Sequence, residues 1–222
     1  KLHIDFPDFT INKDGSKKLL STMENLEKFL EVYQIEVSYD EILKQPQIKI
    51  PNFIDGTDDN TNSKFAYLKS EIVKYGLSPK IIDDYLPAII DKNSFNALME
   101  MVTSKEWDGI DRISEVIKCI QSSDEEFFVK YLVTIWLIQC VAAWDSCSEC
   151  PILYVKERYE QVLTLQGGQG EYKTQFLESL TPPEHSQYVL TGQTLNVKQK
   201  DSVKLCIGSG ICELGELDGT FK

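Results

Sequence analysis

The sequence predicts an α+β chain in which a mostly helical N-terminal part precedes part of an α/β core with a parallel sheet. Apolar residues recur at helical spacing through most of residues 61–154. From about residue 161 onward, short apolar runs alternate with helical patterns, which is typical of parallel strands joined by crossover helices. We therefore expect an N-terminal α/β segment over 1–60, a helical domain over 61–154 and the α/β core over 155–222.

The first segment is predicted to contain one helix and a pair of strands. Apolar residues over 17–33 have helical spacing, and Ser16 is a candidate N-cap. Residues 35–39 and 47–50 alternate between apolar and polar, which predicts a short antiparallel pair. The polar stretch 56–63 is dense in turn-forming residues and is either a loop or a linker.

The second segment is predicted to hold short helices followed by a long one over 125–144, which Asp124 could cap. The short helices are expected over 64–75, 78–85, 93–101 and 113–120. The long helix carries an aromatic stripe of Phe127, Phe128, Tyr131 and Trp136. Helical spacing alone explains this stripe, so we interpret it as core in preference to a base-stacking platform.

The third segment alternates strands with helices. Strands are predicted over 161–165, 188–190 and 211–214, and helices over 173–180 and 196–203. A glycine-rich turn joins the first strand to the first helix, and Pro182-Pro183 ends that helix.

The glycine-rich turn ends in Lys173-Thr174, and a strand, a glycine loop, Lys-Thr and a helix form the context of a phosphate-binding P-loop. Backbone N–H groups of such a loop converge on one anion. Lys173 would reach the β- and γ-phosphates of ATP, and the Thr174 hydroxyl would hold Mg²⁺. The alternative is a glycine-rich turn with a chance Lys-Thr pair. The residues predicted to bind the nucleotide are Gly167, Gly168, Gln169, Gly170, Glu171, Tyr172, Lys173 and Thr174.

One residue departs from the P-loop pattern, because Tyr172 stands where a second glycine usually precedes the lysine. The tyrosine either weakens nucleotide affinity or points outward without harm. Gly168 and Gly170 are candidates to supply the flexibility that the missing glycine would give.

A P-loop NTPase also needs a carboxylate at the end of a neighbouring strand. Glu213 ends the apolar run 211–214, and Glu216 and Asp218 follow. We predict that Glu213 is the Mg²⁺-side acid and that Glu216 is the base that activates water, although the order of the two is open. Lys173, Glu213 and Glu216 form the predicted catalytic set. The alternative is a solvated acidic turn.

Composition limits the possible functions. The net charge of −12 excludes a generally basic DNA-binding surface but permits a local contact. The six cysteines, without a secretion signal, predict reduced thiols in a cytoplasmic protein, and Cys147 and Cys150 have only half of a zinc spacing. We expect no apolar run that approaches about 18 residues, and therefore no membrane span and no membrane partner. The chain does not begin with Met, and we expect it to be part of a longer protein.

Three motifs together resemble the virulence-associated protein E family, which consists of P-loop ATPases of phages and mobile elements related to superfamily 3 helicases. They are the loop 167–174, the acidic stretch 211–218 and the Trp-Asp-Gly-Ile-Asp-Arg motif at 107–112. Residues 37–41 resemble the family more loosely, and the resemblance extends from about residue 35 onward.

The resemblance implies an AAA+-like, ATP-dependent DNA helicase or replication ATPase of a phage, plasmid or integrated element. It also implies a homo-oligomeric ring, a local contact with single-stranded DNA, and a primase domain or partner. A sensor residue and an arginine finger would lie beyond Lys222, so we expect this chain alone to bind nucleotide weakly and hydrolyse it slowly. For the 107–112 motif, we favour a structural turn over a DNA contact. In this turn Trp107 would lie in the core and Arg112 would pair with an acid.

Two other functions compete with the ATPase. The chain could be a regulatory or interaction module whose P-loop has degenerated, and nucleotide binding would separate this hypothesis from the motor. A small-molecule kinase ranks last, because no arginine cluster follows the loop.

Overall fold

The computed structural model describes residues 2–54, 60–145 and 161–215 of the 222-residue chain. Helices and short sheets are mixed, which confirms the predicted α+β class. Contacts divide the chain into two compact units. The first comprises Lys1–Asp40 with Lys44–Phe95, and the second comprises Glu41–Leu43 with Asn96–Lys222.

The strands of the first unit form two small sheets. Strands β1 (Phe9–Ile11) and β2 (Lys17–Leu19) form an antiparallel hairpin. The central strand β3 (Glu36–Asp40) pairs antiparallel with β4 (Gln45–Lys49) and parallel with β5 (Ser94–Phe95). The predicted antiparallel pair is therefore confirmed.

Helices α1 (Met23–Val32), α2 (Asn60–Val73) and α3 (Lys80–Lys92) pack over this sheet. Their apolar faces supply the centre of the core, which includes the fully buried Leu26, Phe29, Leu68, Ile72, Ile82 and Leu86. Because α2 and α3 pack with strands of the first unit, the contacts group the chain differently from the predicted segments 1–60, 61–154 and 155–222. As independently folding domains, those three segments stay predictions.

The predicted start of the first helix is wrong. Residues 17–19 form β2, and the helix begins at Met23 with Thr22 as its N-cap in place of Ser16. The Thr22 side chain accepts a hydrogen bond from the Asn25 N–H at 3.4 Å. A turn at Gly15, whose N–H donates to the Asn12 carbonyl at 2.9 Å, commits the chain before it to a hairpin. The apolar residues before Thr22 fit a helical period only by coincidence.

In the second unit, β6 (Val189–Gln193) and β7 (Ile211–Leu214) form a two-stranded parallel sheet. The helices are α4 (Ala97–Thr103), α5 (Ile113–Ile117), α6 (Glu126–Asp145), α7 (Lys173–Glu178) and α8 (Lys200–Ile207), with a 3-10 helix over Pro183–Tyr188. The end of α6 is fixed to the start of β7, because Trp144 Nε1 donates to the Gly210 carbonyl at 2.8 Å.

The parallel strands are confirmed, but the P-loop core as predicted is not. The predicted strand over 161–165 is absent, since residues 161–168 carry no strand in the described part of the chain. Val162 is 79% exposed, and the run has the apolar composition of a strand without a neighbour to pair with. Two helices also begin later in the structure than predicted. The predicted helix 93–101 begins at Ala97, after β5, and the predicted helix 196–203 begins at Lys200.

The aromatic stripe of α6 was wrongly predicted to lie in the core. Phe127 is 79% exposed, Phe128 48% and Tyr131 53%, whereas Trp136 is half-buried. The buried residues of α6 lie on the opposite face and at its C-terminal end, where Val133 and Trp144 are packed. Helical spacing shows that Phe127, Phe128 and Tyr131 share a face, which Trp136 does not join, but it does not show which face the neighbouring elements cover.

Helix α6 also bears on membrane association. Among the described residues it is the one helix long and apolar enough to cross a membrane by length and composition, and 17% of its most apolar window is buried. The expectation that no segment reaches this length is wrong, because residues 127–144 contain a single charged side chain, Lys130. One such helix is weak evidence for a membrane span, and a chain without a membrane partner stays a prediction.

Candidate functional site

The parallel strands β6 and β7 are interrupted by a bulge beside Glu213. Leu190 pairs with Cys212 and Gln193 pairs with Leu214, so Thr191 and Gly192 together oppose the single residue Glu213. Gly192 has a φ of 64°, a conformation that glycine adopts without steric cost. The bulge therefore changes the direction of the backbone at the position where the predicted acidic residue stands.

The carboxylate of Glu213 is held by two hydrogen bonds. Thr174 Oγ1 donates to Glu213 Oε1 at 2.7 Å, and the Gly192 N–H donates to Glu213 Oε2 at 3.0 Å. Helix α7, which begins with Lys173 and Thr174, packs against both strands. The structure thus brings together the two residues predicted to bind Mg²⁺, although 39 positions separate them in sequence.

The second predicted catalytic side chain in the described part of the chain, Lys173, folds back on the loop. Lys173 Nζ donates to the carbonyl oxygens of Gly167 at 3.0 Å and of Gly168 at 2.6 Å. These contacts place the ammonium group over the first two glycines of the loop. Two of its three N–H donors are taken by backbone acceptors, so an incoming phosphate would replace these two bonds.

The side chain of Glu171 lies against the same two glycines. A methyl group placed on Gly167 would overlap the Glu171 carboxylate, and one placed on Gly168 would lie 3.1 Å from its Oε1. The methyl position at Gly167 is also 3.7 Å from Lys173 Nζ. An acidic and a basic side chain of the loop therefore converge on one backbone segment that lacks side chains.

Tyr172 meets the backbone requirement of the missing glycine by adopting the glycine-like conformation itself. Its φ is 56° and its ψ is 23°, in the left-handed region that side chains disfavour. Its side chain is 76% exposed. Of the two outcomes that the sequence left open, the structure supports an outward-pointing tyrosine, because an exposed ring does not fill the loop.

We expect Tyr172→Gly to leave nucleotide affinity within about threefold, since the ring lies outside the loop. Relief of the left-handed conformation, about 1 kcal/mol, is largely offset by the backbone entropy of glycine, about 0.5–1 kcal/mol. Titration of a fluorescent ATP analogue and urea unfolding measure the two effects. Tightening by more than about tenfold would show that the tyrosine obstructs the loop.

The donors at Thr174 and Glu213 suit a hard cation. One hydroxyl and one carboxylate oxygen lie 2.7 Å apart, and Mg²⁺ is typically bound by one or two carboxylates with phosphate and water oxygens completing the shell. Among the described residues no group of three or more His, Cys, Asp or Glu side chains could hold a metal. Burial, together with a hydrogen bond that the thiol donates to Cys206, raises the pKa of the neighbouring Cys212 to about 12.

Several predicted residues lie outside the described part of the chain. Glu216, the proposed base, and Asp218 are among them, as are Cys147 and Cys150. One residue of the site was missed from the sequence, Gly192, which holds Glu213 through its N–H. The available signal was a glycine two residues after the predicted strand 188–190, a position at which glycine often marks a bulge.

The 107–112 motif forms a local turn stabilised by charge. Arg112 donates two hydrogen bonds to Asp108, at 2.8 and 2.5 Å, and these hold the pKa of the Asp108 carboxyl well below its usual range. Lys130 of α6 donates to Asp111 at 2.6 Å. The predicted pairing of Arg112 with an acid is confirmed, but the predicted burial of Trp107 is wrong, because its side chain is 81% exposed.

Comparison with known families identifies a match over the C-terminal half of the chain. The family model of the virulence-associated protein E-like domain matches residues 101–222, which is more than half of the chain. The matched region contains the Trp-Asp-Gly motif, the loop and the acidic strand. No curated protein matches the chain.

Proposed function

The chain belongs to the virulence-associated protein E-like family, and from this premise we propose that it is a Mg²⁺-dependent P-loop ATPase acting on DNA. The family membership supports a protein of a phage or mobile element. The proposal adds ATP hydrolysis and helicase-like work during replication of that element.

The observation that carries the proposal is the hydrogen bond between Thr174 and Glu213. In P-loop NTPases a loop Ser or Thr and a strand-end carboxylate hold the same Mg²⁺ ion. Here the two oxygens lie 2.7 Å apart, and the Gly192 N–H orients the carboxylate from the other side. A solvated acidic turn does not require its carboxylate to accept a hydrogen bond from the Thr174 hydroxyl, which directly follows Lys173.

Each residue of the site has a separate proposed role in phosphoryl transfer. Thr174 and Glu213 would hold Mg²⁺, which neutralises charge on the β- and γ-phosphates when bound. Lys173 would leave the carbonyls of Gly167 and Gly168 and donate to the phosphate oxygens. Glu216 is proposed as the group that orients and deprotonates the attacking water. Most of the catalysis would come from positioning and charge neutralisation.

The proposed DNA contact has to be local. A net charge of −12 opposes association with a polyanion over a broad surface. A ring of several copies can satisfy this limit, because a few basic side chains from each copy would line one channel. The ring, a primase partner and single-stranded DNA are parts of the proposal that rest on the family alone.

The competing function is an interaction module with a degenerate P-loop. Two observations favour it: residues 161–168 carry no strand ahead of the loop, and Lys173 is bonded to loop carbonyls. Neither prevents binding, since the lysine can exchange backbone acceptors for phosphate. Nucleotide binding distinguishes the two functions.

We expect Glu213→Gln to remove the Mg²⁺ dependence of nucleotide binding. The amide keeps one acceptor oxygen for the Gly192 N–H, and its NH2 group can donate to the Thr174 hydroxyl, but it loses the charge that attracts the cation. A fluorescent ATP analogue is titrated with Mg²⁺ and with EDTA, and the affinity difference, about tenfold for the unchanged chain, should vanish in the variant.

The matched control is Glu178→Gln, which makes the same change at an exposed position of α7. Thr174→Val should behave like Glu213→Gln, because it removes the other proposed ligand. If the folded, unchanged chain binds no nucleotide, or binds it equally with and without Mg²⁺, the ATPase proposal fails and the interaction module is preferred.

A further inference from the structure

We propose that the Glu171 carboxylate competes with the phosphate groups of the nucleotide for the loop. It occupies the phosphate position before nucleotide binds. The inference rests on the proposed function of the loop and concerns its regulation. Glu171 was assigned to the binding segment by position only. Its observed placement gives it a role opposite to that of a ligand-binding residue.

The first argument is the position of the carboxylate. It lies over Gly167 and Gly168, where the absence of side chains leaves room, and a methyl group on Gly167 would collide with it. In a P-loop the space over these glycines is where the backbone approaches the phosphates closely. A carboxylate at that place is an anion of the same charge sign and hydrogen-bonding type as a phosphate oxygen.

The second argument is the position of the cation. Lys173 Nζ lies 3.7 Å from the position that a methyl group on Gly167 would take, and the Glu171 carboxylate overlaps the same position. Lys173 Nζ also donates to the carbonyls of Gly167 and Gly168. The loop's basic group therefore sits beside the loop's own acid. Bound phosphate would accept the hydrogen bonds of Lys173. The phosphate and the Glu171 carboxylate would then repel each other strongly, because two anions would share one small site.

These contacts make the loop a two-state element. With Glu171 folded in, the phosphate position is filled; with Glu171 turned out to solvent, it is open. The apparent nucleotide affinity is then the intrinsic affinity reduced by the fraction of open loops. A polyanion accompanied by a divalent cation is the ligand best able to displace the carboxylate, because the cation offsets the repulsion.

The test compares Glu171→Gln and Glu171→Ala with the unchanged chain. Glutamine keeps the size of the side chain and removes its charge, whereas alanine removes both. Affinities are measured for a fluorescent ATP analogue and for inorganic tripolyphosphate, each with Mg²⁺. Glu178→Gln is the control for a general loss of negative charge on α7, and Lys173→Ala reports whether the loop binds nucleotide at all.

We expect both Glu171 variants to bind tripolyphosphate and the ATP analogue about tenfold more tightly, with Glu178→Gln unchanged. Binding that appears only in the Glu171 variants would also support the inference. If Lys173→Ala loses binding but the Glu171 variants bind no tighter than the unchanged chain, competition is overturned while the P-loop function stands. If neither the unchanged chain nor the Glu171 variants bind, the P-loop function itself fails, and the inference fails with it.

Discussion

Replacement of Lys173 by alanine is expected to abolish binding of Mg²⁺-nucleotide. Its ammonium group lies at the loop, within hydrogen-bond distance of two loop carbonyls. When phosphate displaces those acceptors, Lys173 supplies charge-assisted hydrogen bonds worth about 1.5–3 kcal/mol each. Losing one or two of them weakens affinity by about a hundredfold, which for a weakly binding chain means no detectable binding. Titration of a fluorescent ATP analogue, with circular dichroism as a check on folding, measures the effect.

Two further variants sharpen this result. Lys198→Ala removes an exposed lysine away from the loop and should leave affinity unchanged. Lys173→Arg keeps the charge but replaces a compact ammonium with a planar guanidinium, so it should restore little of the binding. Equal affinity in Lys173→Ala and the unchanged chain would show that the analogue binds elsewhere and that the loop is not a phosphate site.

The second large effect concerns stability of the first unit, where Asn25→Leu is expected to lower the free energy of unfolding by about 3 kcal/mol. Asn25 is fully buried in α1. Its Oδ1 accepts from the Asp8 N–H at 3.0 Å, and its Nδ2 donates to the carbonyls of Asp8 and Leu20, both at 2.7 Å. Leucine has a similar volume but removes all three hydrogen bonds. The Asp8 carbonyl still accepts from the Leu20 N–H at 3.1 Å, whereas the Asp8 N–H and the Leu20 carbonyl lose their Asn25 partner, and a buried group left without a partner costs about 1–3 kcal/mol.

Urea unfolding monitored by circular dichroism measures this loss. Asn12→Ala is the control, because the Asn12 side chain also makes a hydrogen bond, to Ser16 at 3.0 Å, but on the exposed surface. It should cost less than about 1 kcal/mol. A loss below about 1 kcal/mol for Asn25→Leu would mean that water or backbone shifts satisfy the Asp8 and Leu20 groups.

Where a pattern is local, prediction from sequence succeeded. The alternation of residues 35–39 and 47–50 predicted β3 and β4, because period-two patterning requires no knowledge of distant residues. The long helix and the strand at 211–214 were placed to within about two residues for the same reason. The loop and its acidic partner were identified as residue types suited to phosphate and Mg²⁺.

Predictions that depended on distant partners fared worse. The run 161–165 has strand composition but no strand, since a strand exists only when a neighbour pairs with it. Phe127, Phe128 and Tyr131 of α6 share a face, but that face is exposed because the neighbouring elements pack on the other side. Burial of Trp107 failed similarly, whereas the pairing of Arg112 with Asp108, four residues away, was predictable.

The sequence by itself therefore determined the class of the fold, the family resemblance and the residue types of the candidate site. Only the tertiary structure decided that Thr174 meets Glu213, that Gly192 orients that carboxylate through a bulge, and that Glu171 lies over the loop glycines. The physical reason is the distance along the sequence over which each interaction acts. Helical spacing, capping and turn chemistry act over a few residues, whereas the site is assembled by strand pairing and packing between segments 39 residues apart.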